Sequence, residues 1–336
     1  MSKPIITIIG LGLTGTSLGL ALQRQEGNFE IVGHDKEPNA ASGARKMGAV
    51  HRTEWNLHRS CESAEMLVLA VPLKELEELL DLIQEDLHSD CLVLAIAKVM
   101  QPTLDLAVKH LPSNVHFVTG HPILTGIGGS LTIRDDLFTD VPFCLSTGLE
   151  TDGAAVQLAT DFVERISAKP LFMDAQEHDG IVAGVEQLPQ FLAAILLQTM
   201  SQSAGWAEAR RLAGRQFAQG TELAGGAERL YADFQTNREN ILLRIEQFET
   251  ALAQWRELLT KDFAPESYEG EDHPLLAALK QVETVREQWE TQAFLKNWDE
   301  TPVTEQVAGS NFIQQMFFGN LLRNRAIDRE EKQKSS

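Results

Sequence analysis

The chain has 336 residues, long for one domain and comfortable for two, with 43% hydrophobic and 23% charged residues, the balance of an ordinary globular protein. Its formal net charge of −19 argues against nucleic acid and anionic membrane as partners, since both demand basic patches. Cys61, Cys91 and Cys144 are odd in number and widely spaced, which fits neither a disulfide framework nor a metal knuckle; with no unbroken apolar run of roughly 18 residues and no signal-like start, a cytoplasmic protein is expected.

The first element is the β-branched run Ile5-Ile6-Thr7-Ile8-Ile9, which leads into Gly10-Leu11-Gly12-Leu13-Thr14-Gly15 and then an apolar helical pattern. Strand, tight turn and helix around G-x-G-x-x-G make a dinucleotide fingerprint. Gly10 allows the turn, Gly12 lets the backbone approach a pyrophosphate, and Gly15 lets the helix pack against the strand. The amides at Leu13 and Thr14, with the positive end of the helix dipole, then face the phosphates. The next strand, Glu30-Ile31-Val32-Gly33-His34, ends at Asp35, about 20 residues on, where a ribose-binding acid is expected. A carboxylate there favours NAD over NADP, a preference that the neighbouring Lys36 could soften.

Strands and helices go on alternating. A helix is expected over residues 39–47, a buried strand at Met66-Leu67-Val68-Leu69-Ala70-Val71 ended by Pro72, a helix over 73–87, a strand over 91–97 and a helix over 103–111. A short strand over 115–119 runs into Gly120-His121-Pro122, and strands at 142–146 and 170–173, with a helix over 153–166 between them, close a doubly wound sheet. From residue 174 the pattern turns helical. A long apolar helix is expected over 179–203, kinked at Pro189, followed by helices over 237–263 and 274–298. Ile241, Ile245, Phe248, Leu252, Trp255 and Leu259 recur at a 4-3-4-3-4 spacing, which reads first as intramolecular core and second as a dimer interface aided by Phe312, Met316, Phe317 and Phe318. The expected division is a dinucleotide-binding domain over 1–173 and an all-helical substrate and dimerisation domain over 174–336.

In open α/β sheets ligands sit beyond the carboxyl ends of the strands. That gathers Val71, Pro72, Lys98 and His121 around the glycine turn. His121, between Gly120 and Pro122, is expected on a stiff, exposed backbone at a strand end, with a titration range suited to proton transfer. The nine histidines show no metal-ligand spacing, and no nucleophile elbow supports a hydrolase.

The glycine turn, Gly120-His121-Pro122-Ile123, His178-Asp179 before a long helix, Leu188-Pro189 within it, and Asp233-Phe234-x-x-Asn237-Arg238-Glu239 together resemble the prephenate/arogenate dehydrogenase family, over roughly Ile5 to Leu259. The resemblance implies a Rossmann domain, a helical dimerisation domain and a homodimer. It also implies oxidative decarboxylation of a cyclohexadienyl substrate with NAD(P), towards tyrosine, with His121 accepting the hydroxyl proton.

Departures fall on the substrate side. Lys98 stands where the family has a serine, Glu186-Gln187-Leu188-Pro189-Gln190 where it has S-H-L-P-H, and Glu222 where it has a carboxylate-binding arginine; the loop holding Gly126 is one residue longer. Losing a desolvated Arg–carboxylate pair costs roughly 2–5 kcal/mol, so a dianionic substrate fits poorly unless Lys98 compensates. An ammonium on the substrate could pair with Glu222 or Glu186. Gln187 could keep a hydrogen bond the histidine made, and Glu222 could face solvent. Three readings stay open: a dehydrogenase with a rebuilt pocket (His121 and Lys98 catalytic; Gln187, Gln190 and Glu222 lining it), a true prephenate or arogenate dehydrogenase, and a non-catalytic NAD-binding dimer with an interaction role.

Overall fold

The computed structural model describes residues 3–24, 27–124, 131–148, 151–223, 226–260 and 274–295. By internal contacts the chain falls into two compact units, Met1–Ile241 and Leu242–Ser336. The first unit opens with β1 (Ile5–Ile9), α1 (Leu13–Gln23), β2 (Glu30–His34), α2 (Pro38–Lys46), β3 (Arg52–Thr53) and α3 (Leu57–Cys61). It continues through β4 (Met66–Leu69), α4 (Leu73–Ile83), β5 (Leu92–Ile96), α5 (Gln101–His110), β6 (His116–Pro122), β7 (Pro142–Thr147), α6 (Gly153–Arg165) and β8 (Lys169–Phe172). The short β3–α3 pair has too few residues to show a period and was not legible in the sequence.

The eight strands form one sheet in the order β3-β2-β1-β4-β5-β6-β7-β8. The order reverses between β1 and β4, which is the switch point where such sheets open a crevice. Neighbouring strands run parallel except β6 and β7, which are antiparallel, with His121 opposite Cys144. Alternation along each strand sorts side chains between two cores. Ile8, Met66, Val68, Leu92 and Leu94 pack with Leu18 and Leu22 of α1 and Phe162 of α6. Ile9, Leu67, Leu69, Val93 and Ala95 face the other way, onto Leu76, Leu80 and Ile83 of α4 and Ala107 of α5. All three cysteines are buried free thiols. Burial pushes Cys61 and Cys91 up to about 12 and Cys144 to about 11, so none is an activated nucleophile.

After β8 the unit is helical: α7 (Ala175–Val182), one π-helical turn (Ala183–Gln187), α8 (Leu188–Ser201), α9 (Trp206–Leu212), α10 (Arg215–Gly220), α11 (Ala227–Thr236) and the start of α12 (Arg238–Thr260). The expected kink at Pro189 takes a different form. Pro189 lacks an amide to donate back along the helix, and the wider π turn just before it absorbs that gap, with Pro189 seated in the first turn of α8. The resulting helical stretch Ala175–Ser201 is 27 residues long, contains an 18-residue window of mean hydropathy 1.5, and by length and composition alone could cross a membrane. It is not an unbroken apolar run, because Asp179, Glu186, Gln187 and Gln190 interrupt it. Asp174 caps α7 by accepting from the amides of Gln176 and Glu177.

The second unit contains the rest of α12 and α13 (Pro274–Leu295). The expectation that the 4-3-4-3-4 seam is intramolecular core is not met: within it only Ile241 is buried, while Leu252 and Leu259 are 57% and 63% exposed. Helical period places apolar residues on one stripe without saying what covers them. Gly126, Trp298, Phe312, Met316, Phe317 and Phe318 lie outside the described residues.

Candidate active site

The glycine turn occupies the switch point. Gly10 has φ +90°, and a Cβ there would meet the Ala70 carbonyl oxygen at 2.5 Å. A Cβ on Gly15 would sit 1.9 Å from the Gly10 oxygen, so only glycine lets α1 lie this close to the turn. Gly12 differs: among the described residues nothing stands within 4 Å of where its Cβ would be. That open space lies at the N-terminus of α1, where Gly12 offers no capping side chain and the first-turn amides at Leu13, Thr14 and Gly15 precede the first intrahelical bond, Thr16 N–H to the Gly12 oxygen. A pyrophosphate fits this cradle.

Asp35 follows β2 and reaches back to the turn. Its Oδ2 accepts from the Leu11 amide at 2.6 Å and its Oδ1 from the Glu37 amide at 2.8 Å. Each carboxylate oxygen keeps a further lone pair for a ribose hydroxyl. Lys36 is engaged elsewhere: its Nζ donates to Glu75 in the first turn of α4 at 2.8 Å, which holds the ammonium above its usual range. Val71 and Pro72 link β4 to α4 beside the turn, Pro72 as the N-cap residue. These residues fit a dinucleotide at both its phosphate and ribose ends.

His121 faces the other half of the crevice, at the carboxyl end of β6. The expectation of an exposed backbone is corrected. β7 pairs with β6 as far as Pro122, so the chain stays laddered through the motif and His121 is buried. Its ring is fixed by residues that were quoted for the resemblance but not proposed for the site. His121 Nδ1 is 3.0 Å from His178 Nε2, and His178 Nδ1 is 2.9 Å from Asp179 Oδ1. The Asp179 carboxylate also accepts from the amides of Met100 at 2.7 Å and Gln101 at 2.8 Å, at the N-terminus of α5. Helix amides hold this buried anion in place.

A carboxylate only accepts, so His178 Nδ1 carries a hydrogen. With the His178 ring neutral, its Nε2 is an acceptor, His121 Nδ1–H donates to it, and the lone pair of His121 falls on Nε2. Burial, then the His178 ring and then Lys98 push His121 down to about 3, while Asp179 opposes them. The imidazole therefore stands neutral at physiological pH, not poised near neutrality as its unperturbed range suggested.

Beyond Nε2 lie charges. Glu186, in the π turn, places Oε1 at 3.9 Å from His121 Nε2 and Oε2 at 3.3 Å from Lys98 Nζ, and Asp233 of α11 is 3.7 Å from the same ammonium. Lys98 thus sits beside the crevice with two carboxylates on it. Gln187 is buried and occupied at both ends: Nε2 donates to the Asp233 carbonyl at 3.1 Å, and Oε1 accepts from Asn237 Nδ2 at 2.8 Å. Asn237 also donates to the Asp179 carbonyl at 2.9 Å, tying α11, α12 and α7 together. Gln190 is half-buried in the first turn of α8. Glu222 is exposed beyond α10, and among the described residues no hydrogen bond or ion pair joins it to the His121 group. The sequence signal for His178, Asp179 and Glu186 was ionisable residues interrupting an apolar helix, which is costly unless they are paired.

A glycine turn at the switch point of a doubly wound sheet, faced by a buried neutral imidazole with one free nitrogen, defines a dinucleotide-dependent dehydrogenase. Residues 18–171 match the family model for the prephenate dehydrogenase nucleotide-binding domain, and residues 174–280 the one for its dimerization domain. The chain belongs to the prephenate dehydrogenase family. It is 27% identical over 253 residues to the prephenate dehydrogenase of Bacillus subtilis, covering 73% of this chain and 67% of that one. Its fold matches the Aquifex aeolicus prephenate dehydrogenase solved with hydroxyphenyl propionate and NAD+ (TM-score 0.74, 24% identity, 85% of this chain and 98% of that one). It also matches the Synechocystis arogenate dehydrogenase (TM-score 0.72, 22% identity, 85% and 99%).

Proposed function

We propose that the protein carries out the oxidative decarboxylation of a cyclohexadienyl substrate, prephenate or arogenate, using NAD. The observation that carries this is the buried chain of contacts from Asp179 through His178 to His121 Nδ1, which leaves His121 Nε2 to act as the base at the carboxyl end of β6. Asp35 supports NAD, because its carboxylate would repel a 2′-phosphate and Lys36 is committed to Glu75. When bound, the dinucleotide supplies a hydride acceptor.

His121 Nε2 takes the proton of the ring hydroxyl as the carbinol hydrogen departs as hydride. Loss of the ring carboxylate as CO2 then aromatises the ring. The overall change releases no proton, so His121 returns its proton to the phenolate oxygen. A weakly basic imidazole suits such a loan, because it gives the proton back readily.

Lys98 borders this site but is already engaged by Glu186 and Asp233, so the pocket beside His121 carries one cation against two anions. That balance favours a substrate with an ammonium group, arogenate, over the dianion prephenate. Gln187 acts as a brace rather than a substrate ligand, while Gln190 and Glu222 belong to the outer wall. We assign the dinucleotide domain to residues 1–173 and the helical domain to 174–336, the latter forming a homodimer, in the cytoplasm.

Purified protein should produce reduced nicotinamide from NAD+ with arogenate faster than with prephenate. His121→Asn should lower that rate by about 10²–10⁴-fold. No turnover with either substrate, or an unchanged rate in the variant, overturns the reading.

A further inference from the structure

We propose that Lys98 and Glu186 act as an opposed pair of positioning residues on His121, Lys98 keeping the imidazole neutral before reaction and Glu186 taking up the positive charge that proton transfer creates. The idea rests on the dehydrogenase reading above.

Glu186 uses its two oxygens differently. Oε2 lies 3.3 Å from the Lys98 ammonium, and Oε1 lies 3.9 Å from His121 Nε2, the nitrogen that the His178 contact leaves with the lone pair. At 3.9 Å the carboxylate does not hydrogen-bond the ring directly. The gap is the width that one bridging oxygen fills, such as a substrate hydroxyl or a water. Lys98 is also drawn to Asp233 at 3.7 Å, so two carboxylates hold its ammonium, one of which also reaches His121. Among the described residues, the charged and titratable groups around His121 are His178 and Asp179 from α7, Glu186 from the π turn, Lys98 after β5, and Asp233 from α11 acting through Lys98.

Before reaction this face holds one cation and two anions. When the hydroxyl O–H bond breaks, its electron pair stays on oxygen and the proton sits on Nε2; the imidazolium then balances the cluster. The charge is transient, since the proton goes back to the phenolate oxygen once hydride and CO2 have left. Two side chains of opposite sign on the same face thus set how basic His121 is.

Imidazole NMR titration of the full chain, free of substrate and with His121→Asn used to assign the signal, reads this without turnover. Lys98→Met should raise the His121 midpoint by about 1 pH unit. Adding Glu186→Gln to Lys98→Met should bring it back down. In turnover with arogenate and NAD+, Glu186→Gln should lower kcat about tenfold with KM little changed, the mark of an interaction made only in the transition state, and Glu186→Asp should recover part of it. A midpoint that Lys98→Met leaves in place, or that Glu186→Gln fails to lower in the double variant, overturns the pairing. If the titrations behave as stated and neither arogenate nor prephenate turns over, the dehydrogenase reading falls and the charge pairing stands.

Discussion

At the scale of single residues, the proposed chemistry depends on one His121 nitrogen being left free. Asp179 contacts Nδ1 of His178, and His178 Nε2 contacts Nδ1 of His121, so Nε2 of His121 is outside this chain. The depressed His121 titration also has a consequence for stability. In the unfolded chain the ring protonates near 6.5, and in the folded chain only near 3. Between those values the unfolded state binds the extra proton, so stability is full above the unfolded value and falls as pH drops towards about 3. The slope is up to about 1.4 kcal/mol per pH unit for one proton. Denaturant titrations across this window should show His121→Asn with a shallower acid loss than the parent; equal slopes would refute the assignment. The second and third glycines of the fingerprint also separate by experiment. Gly12→Ala, with open space around it, should leave the melting temperature close to the parent's and weaken NAD+ binding in calorimetry. Gly15→Ala, which drives a methyl into the Gly10 carbonyl, should destabilise the fold by about 1–3 kcal/mol or more.

At the scale of elements, the informative feature is the π turn between α7 and α8. It accommodates Pro189, and it holds both Glu186, beside His121, and Gln187, between Asp233 and Asn237. Replacing Gln187 by leucine removes both hydrogen bonds in a buried place and leaves the Asp233 carbonyl without that donor. We expect a loss of about 1–3 kcal/mol in urea unfolding, with NAD+ affinity unchanged, because the glycine turn is not involved. The apolar periodicity of the helix was legible from the sequence, as was a disturbance at Pro189. The π geometry was not, because it depends on how one missing amide is accommodated by the turn before it.

At the scale of the whole molecule, apolar side chains are left in the open on the helical elements. Ile195 and Leu196 of α8 are 41% and 42% exposed, and Leu252 and Leu259 of α12 more so. For a chain of formal charge −19, self-repulsion favours the monomer unless apolar contact outweighs it. Sedimentation should therefore give a dimer, and more firmly as salt screens the charge. Ile195→Arg with Leu196→Arg should shift it towards monomer while the melting of the dinucleotide-binding part is kept; a dimer of undiminished affinity would place the interface elsewhere.

The sequence alone determined the doubly wound sheet, the glycine turn, Asp35 and His121, because each rests on local chemistry: a short period, a conformation only glycine allows, or a residue type at a strand end. It also marked Lys98 and Glu186 as unusual. Only the tertiary structure decided what those residues meet. His121 and His178 are 57 positions apart, and Met100 and Asp179 are 79; no local period reports contacts over such separations. Burial, which turned an imidazole expected to titrate near neutrality into a neutral one with a single free nitrogen, exists only once β7 has laddered onto β6 and α7 has been anchored at the end of α5.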